Sequence, residues 1–223
     1  MITVRVGTEG IQRDFSVHKG LISSHSPFFK AAMNEQWEEG RTNLITLPED
    51  DPDVFKLYCC WLYNIYLVTK QERCVDQNNE DLYTGSSENA RLVKAYTFGN
   101  KILDHSFCDM IVDQMIVHSH ASDVFYIANH YQLFNLMRPE HPARQLLGDV
   151  VNHVMTEENL KTAMYDAFDG VAWKEIMGTF LARRSEASPQ PWELPWKVDK
   201  CRYHHHTKYG GECYRHRPRW GAS

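Results

Sequence analysis

The stretch that decides the fold is 11-IQRDFSVHKGLISSHSPFFKAAMNEQW-37. Ile11, Arg13, Phe15 and Val17 form an alternating run, the period of a half-buried strand. A short helical segment follows His18-Lys19. Ser26-Pro27 then opens a second one carrying Phe28-Phe29-Lys30-Ala31-Ala32-Met33. A Ser N-cap accepts from an orphan backbone N–H, and Pro at the first helical position gives up a donor the helix does not need. The reading predicts two short helices over residues 19–37, broken at Pro27.

Working outward, Ile2-Thr3-Val4-Arg5-Val6 alternates and stops at Gly7. With a turn at 8–10 and the run at 11–17 it makes a hairpin. Downstream, Gly40 to Asn43 reads as a turn, and Leu44 to Leu47 as a third strand closed by Pro48. Asp51-Pro52-Asp53 starts a helix that reaches about Tyr63, with Val54, Phe55, Leu57, Tyr58, Trp61 and Leu62 as a broad apolar stripe. Residues 69–89, TKQERCVDQNNEDLYTGSSEN, are polar and read as a surface loop. Helical periodicity returns over Ala90 to His120 and breaks near Asp104-His105. Leu92, Tyr96, Gly99 and Leu103 share one face before the break, and Phe107, Met110, Ile111, Gln114 and Met115 another after it.

This arrangement resembles the BTB/POZ domain. The residues that carry the resemblance are Phe15, Val17, His18, Leu21, Ser26 and Phe29: an aromatic, an aliphatic, a His, a Leu three residues on, then Ser-x-x-Phe. It covers roughly residues 2–120. The run Leu92-Val93, Ala95-Tyr96, Phe98-Gly99, Lys101, Leu103-Asp104 is similar to that of fungal BTB proteins of unassigned function. The resemblance implies an α+β fold: a small β-sheet flanked by helices, followed by an α-helical extension. It implies protein binding, with a homo- or hetero-dimer through this domain, and a largely buried His18. Many family dimers also use a segment ahead of the first strand, and here the first strand begins at Ile2.

The domain organisation read from the sequence is a BTB/POZ core at 1–120 with the polar insertion at 69–89, a helical extension at 121–184, and a Pro/Trp-rich and Cys/His-rich end at 185–223. Within the extension, 123–131, 143–155, 157–165 and 171–184 have helical apolar spacing. SEASPQPWELPWK, residues 185–197, carries three prolines and reads as extended, its tryptophans acting as anchors.

Composition narrows the function. In 223 residues, 43% are hydrophobic and 12% aromatic, enough for a core. No apolar run approaches the ~18 residues needed to cross a bilayer, and the opening MITVRVG reads as a strand, not a secretory signal. The expected place is intracellular, cytoplasmic and/or nuclear, with no membrane partner. Six cysteines in a chain of this length do not read as a disulfide framework. The net charge is −5, with 17 acids against 11 bases in residues 1–120 and six bases against one acid from residue 200 on. The acidic body argues against nucleic acid as a partner. No nucleophile elbow, phosphate-binding Gly loop or His-Glu-x-x-His is present, so nothing points to an enzyme.

Two sets of residues stand out. Met33-Asn34-Glu35 follows the Phe-Phe helix where some BTB adaptors carry a hydrophobic-x-Glu signature that contacts a cullin scaffold, and Trp37 falls near the same surface. The resemblance therefore implies a substrate adaptor for a cullin–RING ubiquitin ligase. Met33 would fill a partner pocket beside the Glu35 carboxylate, and the later helices or the tail would hold an unknown protein target. The other reading is an oligomerisation or scaffold module without a ligase link, for example in a transcriptional complex. The second set is two Cys-x-x-His units, Cys201–His204 and Cys213–His216, separated by Gly210-Gly211. Thiolate and imidazole are preferred ligands of tetrahedral zinc. A structural zinc ion fits this set, with either His216 or His206 beside Cys201, His204 and Cys213.

Overall fold

The computed structural model describes residues 1–64, 85–121, 127–154, 168–185, 195–199 and 201–217. The chain divides into two compact units. One comprises Met1–Thr84, Lys94–Ile111 and Glu212–Ser223, the other Gly85–Val93 and Val112–Gly211.

The first unit is built on a sheet of three strands, β1 (Ile2–Val6), β2 (Arg13–Val17) and β3 (Leu44–Leu47), in the order β2-β1-β3. β2 runs antiparallel to β1, with Ile2 opposite Val17, and β3 runs parallel to it, with Val4 opposite Ile45. The hairpin is present, but its second strand starts at Arg13, not Ile11. Gly7 and Gly10 take positive φ, and the Ile11 N–H closes a turn onto the Thr8 carbonyl. That leaves Ile11 exposed in the connection. β2 is an edge strand, so of its alternating residues Val17 is buried and Phe15 only half-buried.

Helices α1 (Lys19–His25) and α2 (Pro27–Ala32) follow as the Ser-Pro pair predicts, and Ser26 Oγ accepts the Phe29 N–H at 3.2 Å. The expected turn at 40–43 is instead part of a short helix, α3 (Glu38–Thr42), ended by Asn43 in the left-handed region. Glu38 and Glu39 at its start complement the helix dipole, a local signal that outweighs the turn propensity of Gly40. In α4 (Pro52–Asn64) the Asp53 N–H is held by Asp51 Oδ1 at 2.9 Å, and the predicted stripe is buried. From that stripe an aromatic chain crosses the core. Phe55 meets Phe15, Phe29 and Phe98 edge-on, and Tyr58 meets Phe98 and Phe107. Tyr214 closes the series against Trp61.

Two longer helices come next, α5 (Gly85–Lys101) and α6 (His105–Ala121). Residues 69–84 of the expected loop lie outside the described residues, but Gly85 to Asn89 are helical, with Glu88 at the favourable N-terminal end of α5. Leu103, expected on the buried face, is exposed at φ 60 in the link between the helices, and Ile102 is buried instead. Asp104 caps α6 through the Phe107 N–H at 2.9 Å. A Cβ on Gly99 would come within 2.8 Å of the Phe107 ring, so glycine sets the close approach of the two helices there.

In the second unit, α7 (Ile127–Leu136) leads through a single 3-10 turn (Pro142–Arg144) to α8 (Gln145–Val154), against which α9 (Gly170–Ser185) packs. The helical spacing at 157–165 lies outside the described residues. Arg144 ties this unit together. Its guanidinium pairs with both Glu175 oxygens at 3.0 and 2.7 Å, donates to the Phe134 and Met137 carbonyls, and lies 3.7 Å from the centre of the Phe134 ring. The Pro/Trp stretch is not wholly extended: α10 (Pro195–Val198) is one helical turn, with Pro195 in the first-turn place that needs no N–H. Trp196 is buried there with its ring edge-on to His153, as an anchor should be. The last α-helix among the described residues is α11 (His206–Tyr209).

Candidate functional site

The stretch after α2 turns sharply. Asn34 Oδ1 accepts the Gln36 N–H, and the Asn34 carbonyl accepts the Trp37 N–H, both at 3.0 Å. Gly40 packs its Cα against this turn, and a Cβ there would overlap the Asn34 carbonyl. The turn therefore presents Asn34, Glu35 and Trp37 outward, with Trp37 62% exposed. Met33 differs from expectation. It ends α2 with its N–H on the Phe29 carbonyl and its side chain in the core, 5% exposed. The exposed apolar group near Glu35 is Trp37, not Met33. An exposed indole is the kind of residue that anchors interfaces.

His18 also differs from expectation. It is exposed, and its Nδ1 lies 2.8 Å from the Tyr63 hydroxyl, which also accepts the His18 N–H at 3.1 Å. Tyr63, at the end of α4, provides a surface partner, so the imidazole needs no buried acid.

The C-terminal stretch folds as a compact knot. The Cys201 N–H binds Asp199 Oδ1, and the His204 N–H returns to the Cys201 carbonyl at 2.8 Å, bringing the two members of the first Cys-x-x-His unit to one side. Thr207 caps the His204 carbonyl through its N–H and its hydroxyl, which starts α11 and turns His206 back toward His204. Gly210 and Gly211, both at positive φ, then reverse the chain ahead of Cys213. Cys201, His204, His206 and Cys213 can thus hold a metal ion: their ligand atoms all lie within 4.8 Å of one another. His216 is exposed on the 3-10 turn after Cys213 and is not one of the group, so of the two ligand sets read from the sequence the geometry gathers the one with His206.

Two buried acids, singled out by none of the motifs, hold Arg202, Tyr203 and His204 within the second unit. Asp149 on α8 accepts the Tyr203 hydroxyl at 2.6 Å and pairs with Arg202 at 3.4 Å. Asp113 on α6 places Oδ1 3.0 Å from His204 Nε2, and both residues are buried. Their signal in the sequence is an acid inside an apolar helical face, Met110-Ile111-Val112-Asp113 and Asp149-Val150-Val151. A carboxylate in such a place requires a partner.

Residues 2–87 match the BTB/POZ domain family. That stretch holds the three-stranded sheet and the helices α1 to α4, and the family it matches is one of protein–protein interaction modules. Among the described residues no helix is long and apolar enough to cross a membrane.

Proposed function

We propose that the chain is a substrate adaptor for a cullin–RING ubiquitin ligase. The BTB/POZ domain would hold the cullin through Asn34, Glu35 and Trp37, and the helices after it or the tail would hold the target. The observation that carries this reading is the exposed Trp37 beside the exposed Glu35 on a turn fixed from within by Asn34. An indole supplies buried area, and a carboxylate adds a charge-assisted hydrogen bond at the rim. Calorimetric titration with the N-terminal half of a cullin tests it. Wild type should bind, while Glu35→Lys and Trp37→Ala should each lose at least tenfold in affinity with their thermal melts unchanged. Equal affinity in all three moves the cullin to another face. No binding by the folded wild type favours the scaffold reading, which sedimentation equilibrium then tests as self-association.

The Cys/His knot serves a different purpose in this proposal: it takes a structural zinc ion. Two thiolates and two imidazoles complete a tetrahedral shell and leave no position for a substrate water, so the ion would order the tail and not catalyse.

A further inference from the structure

The four ligand atoms do not by themselves say which nitrogen of each histidine faces the ion, or what holds the rings in place. The hydrogen bonds behind them do. His204 Nε2 lies 3.0 Å from the Asp113 carboxylate, which only accepts hydrogen bonds. A neutral imidazole carries one N–H, so a proton placed at Nε2 for Asp113 leaves the lone pair at Nδ1. That nitrogen is 3.3 Å from His206 Nε2. Zinc bonds of about 2.0–2.3 Å in a tetrahedron set neighbouring ligand atoms about 3.3–3.8 Å apart. The two nitrogens already stand at such a spacing, with the sulfurs of Cys201 and Cys213 within 4.8 Å.

We propose that Asp113 is the positioning residue of this metal centre: its carboxylate holds the Nε2–H of His204 so that Nδ1 of that ring, with Nε2 of His206, faces zinc. This rests on the zinc reading above. The burial of both partners makes the pair rigid, because neither can exchange its bond for one to water. The ion displaces the two thiol protons to solvent and takes lone pairs from two neutral rings, so the centre itself is uncharged. The carboxylate outside the shell makes His204 a better donor to the ion. Asp113 lies on α6, far from His204 in sequence, so this bond ties the ordering of residues 201–206 to that helix.

The test uses the purified full chain. Wild type should carry about one zinc per chain, and Co2+ in its place should give the absorption of a tetrahedral thiolate site. Competition with a chromophoric chelator then measures affinity. Asp113→Ala should bind about 10- to 100-fold more weakly while still reaching one ion at saturating zinc. Asp113→Asn keeps a carbonyl acceptor for the same N–H and should fall between the two. Should the Ala variant not fold, the Asn variant and its Co2+ spectrum decide. A folded Asp113 variant with wild-type affinity overturns the positioning role and leaves the zinc site standing. A wild type that binds neither zinc nor Co2+, with Cys201→Ser behaving identically, overturns both.

Discussion

Ser26 Oγ donates to the Ile102 carbonyl at 2.5 Å while accepting the Phe29 N–H at 3.2 Å. One buried hydroxyl thus caps α2 and ties it to the end of α5, which is far away in sequence. Ser26→Ala removes both bonds and strands a carbonyl and an amide inside the core. A lost cap alone is worth about 1 kcal/mol, and an orphaned buried acceptor adds about 1–3. The expected loss is about 2–4 kcal/mol, read as a shift in urea midpoint. Ser26→Thr, which retains the hydroxyl, should recover part of it. A loss below about 1 kcal/mol in the Ala variant would mean that the Ile102 carbonyl has another donor.

His25 and Asp104 lie side by side, with Nδ1 3.7 Å from Oδ2, and their protonation energies oppose each other. Burial raises the Asp104 carboxyl to about 6, only partly offset by the Phe107 N–H and the Tyr58 hydroxyl. Burial also lowers His25 to about 4, helped by the charge of nearby Arg217. A folded-state value above the unfolded one gives stability that is lost as pH rises, so Asp104 lowers stability progressively from about pH 4 to about pH 6. A lowered histidine works the other way: below about pH 6.5 the unfolded chain takes up a proton that the folded one refuses, so stability climbs with pH from about 4 to 6.5. Each effect spans about 3 kcal/mol at 1.36 kcal/mol per unit. In the wild type they nearly cancel, and stability should be flat across this window. His25→Gln should expose the downward slope of Asp104, and Asp104→Asn the upward slope of His25. Parallel pH profiles for the two variants would contradict this account.

How much of this was legible beforehand follows from the range of each interaction. The Ser26-Pro27 helix start, the strand at Leu44 to Leu47, the stripe on α4 and the break at Asp104 are written in neighbouring residues, and all are present. Features that depend on distant contacts were not legible. Met33 goes inward because it closes α2 over the core, and its apolar character alone gave no direction. His18 finds Tyr63 only because α4 ends beside the end of β2. Cys201, His204 and Cys213 were readable from spacing, whereas the choice of His206 over His216 depends on the direction in which α11 turns the chain. Asp113 and Asp149 were visible only as misplaced acids, because their partners lie many residues away.

Arg144 closes the end of α7 by donating to the Phe134 and Met137 carbonyls while its other face grips Glu175. Arg144→Met preserves most of the stem but leaves the Met137 carbonyl and a half-buried carboxylate unanswered, and takes one of two donors from the Phe134 carbonyl, at a cost of about 3 kcal/mol. Arg144→Lys should be nearly as damaging, since a single ammonium cannot reproduce the planar fork. Hydrogen exchange checks both: the amides of α7 and α8 should exchange faster, while those of β1 and α4 keep wild-type rates. Uniform acceleration through the chain would show that Arg144 acts on global rather than local stability.

The turn that displays Glu35 and Trp37 depends on a residue that touches no partner. Gly40, buried in α3, leaves room for the Asn34 carbonyl where any side chain would overlap it. Its φ is not in the left-handed region, so the requirement is space and not backbone freedom. Gly40→Ala must push the Asn34 turn away from α3, losing the Trp37 N–H bond to that carbonyl and displacing the indole. Overpacking of this kind costs about 1–3 kcal/mol. If partner binding uses this turn, Gly40→Ala should weaken cullin binding severalfold with Glu35 and Trp37 both intact, and Trp37 fluorescence should shift in the unbound protein. Gly10→Ala is the control: it lies in the exposed hairpin connection with open space around its Cα, so it carries only backbone strain and should leave affinity unchanged. Unaltered binding by a Gly40→Ala protein whose indole has moved would separate the turn from the partner surface.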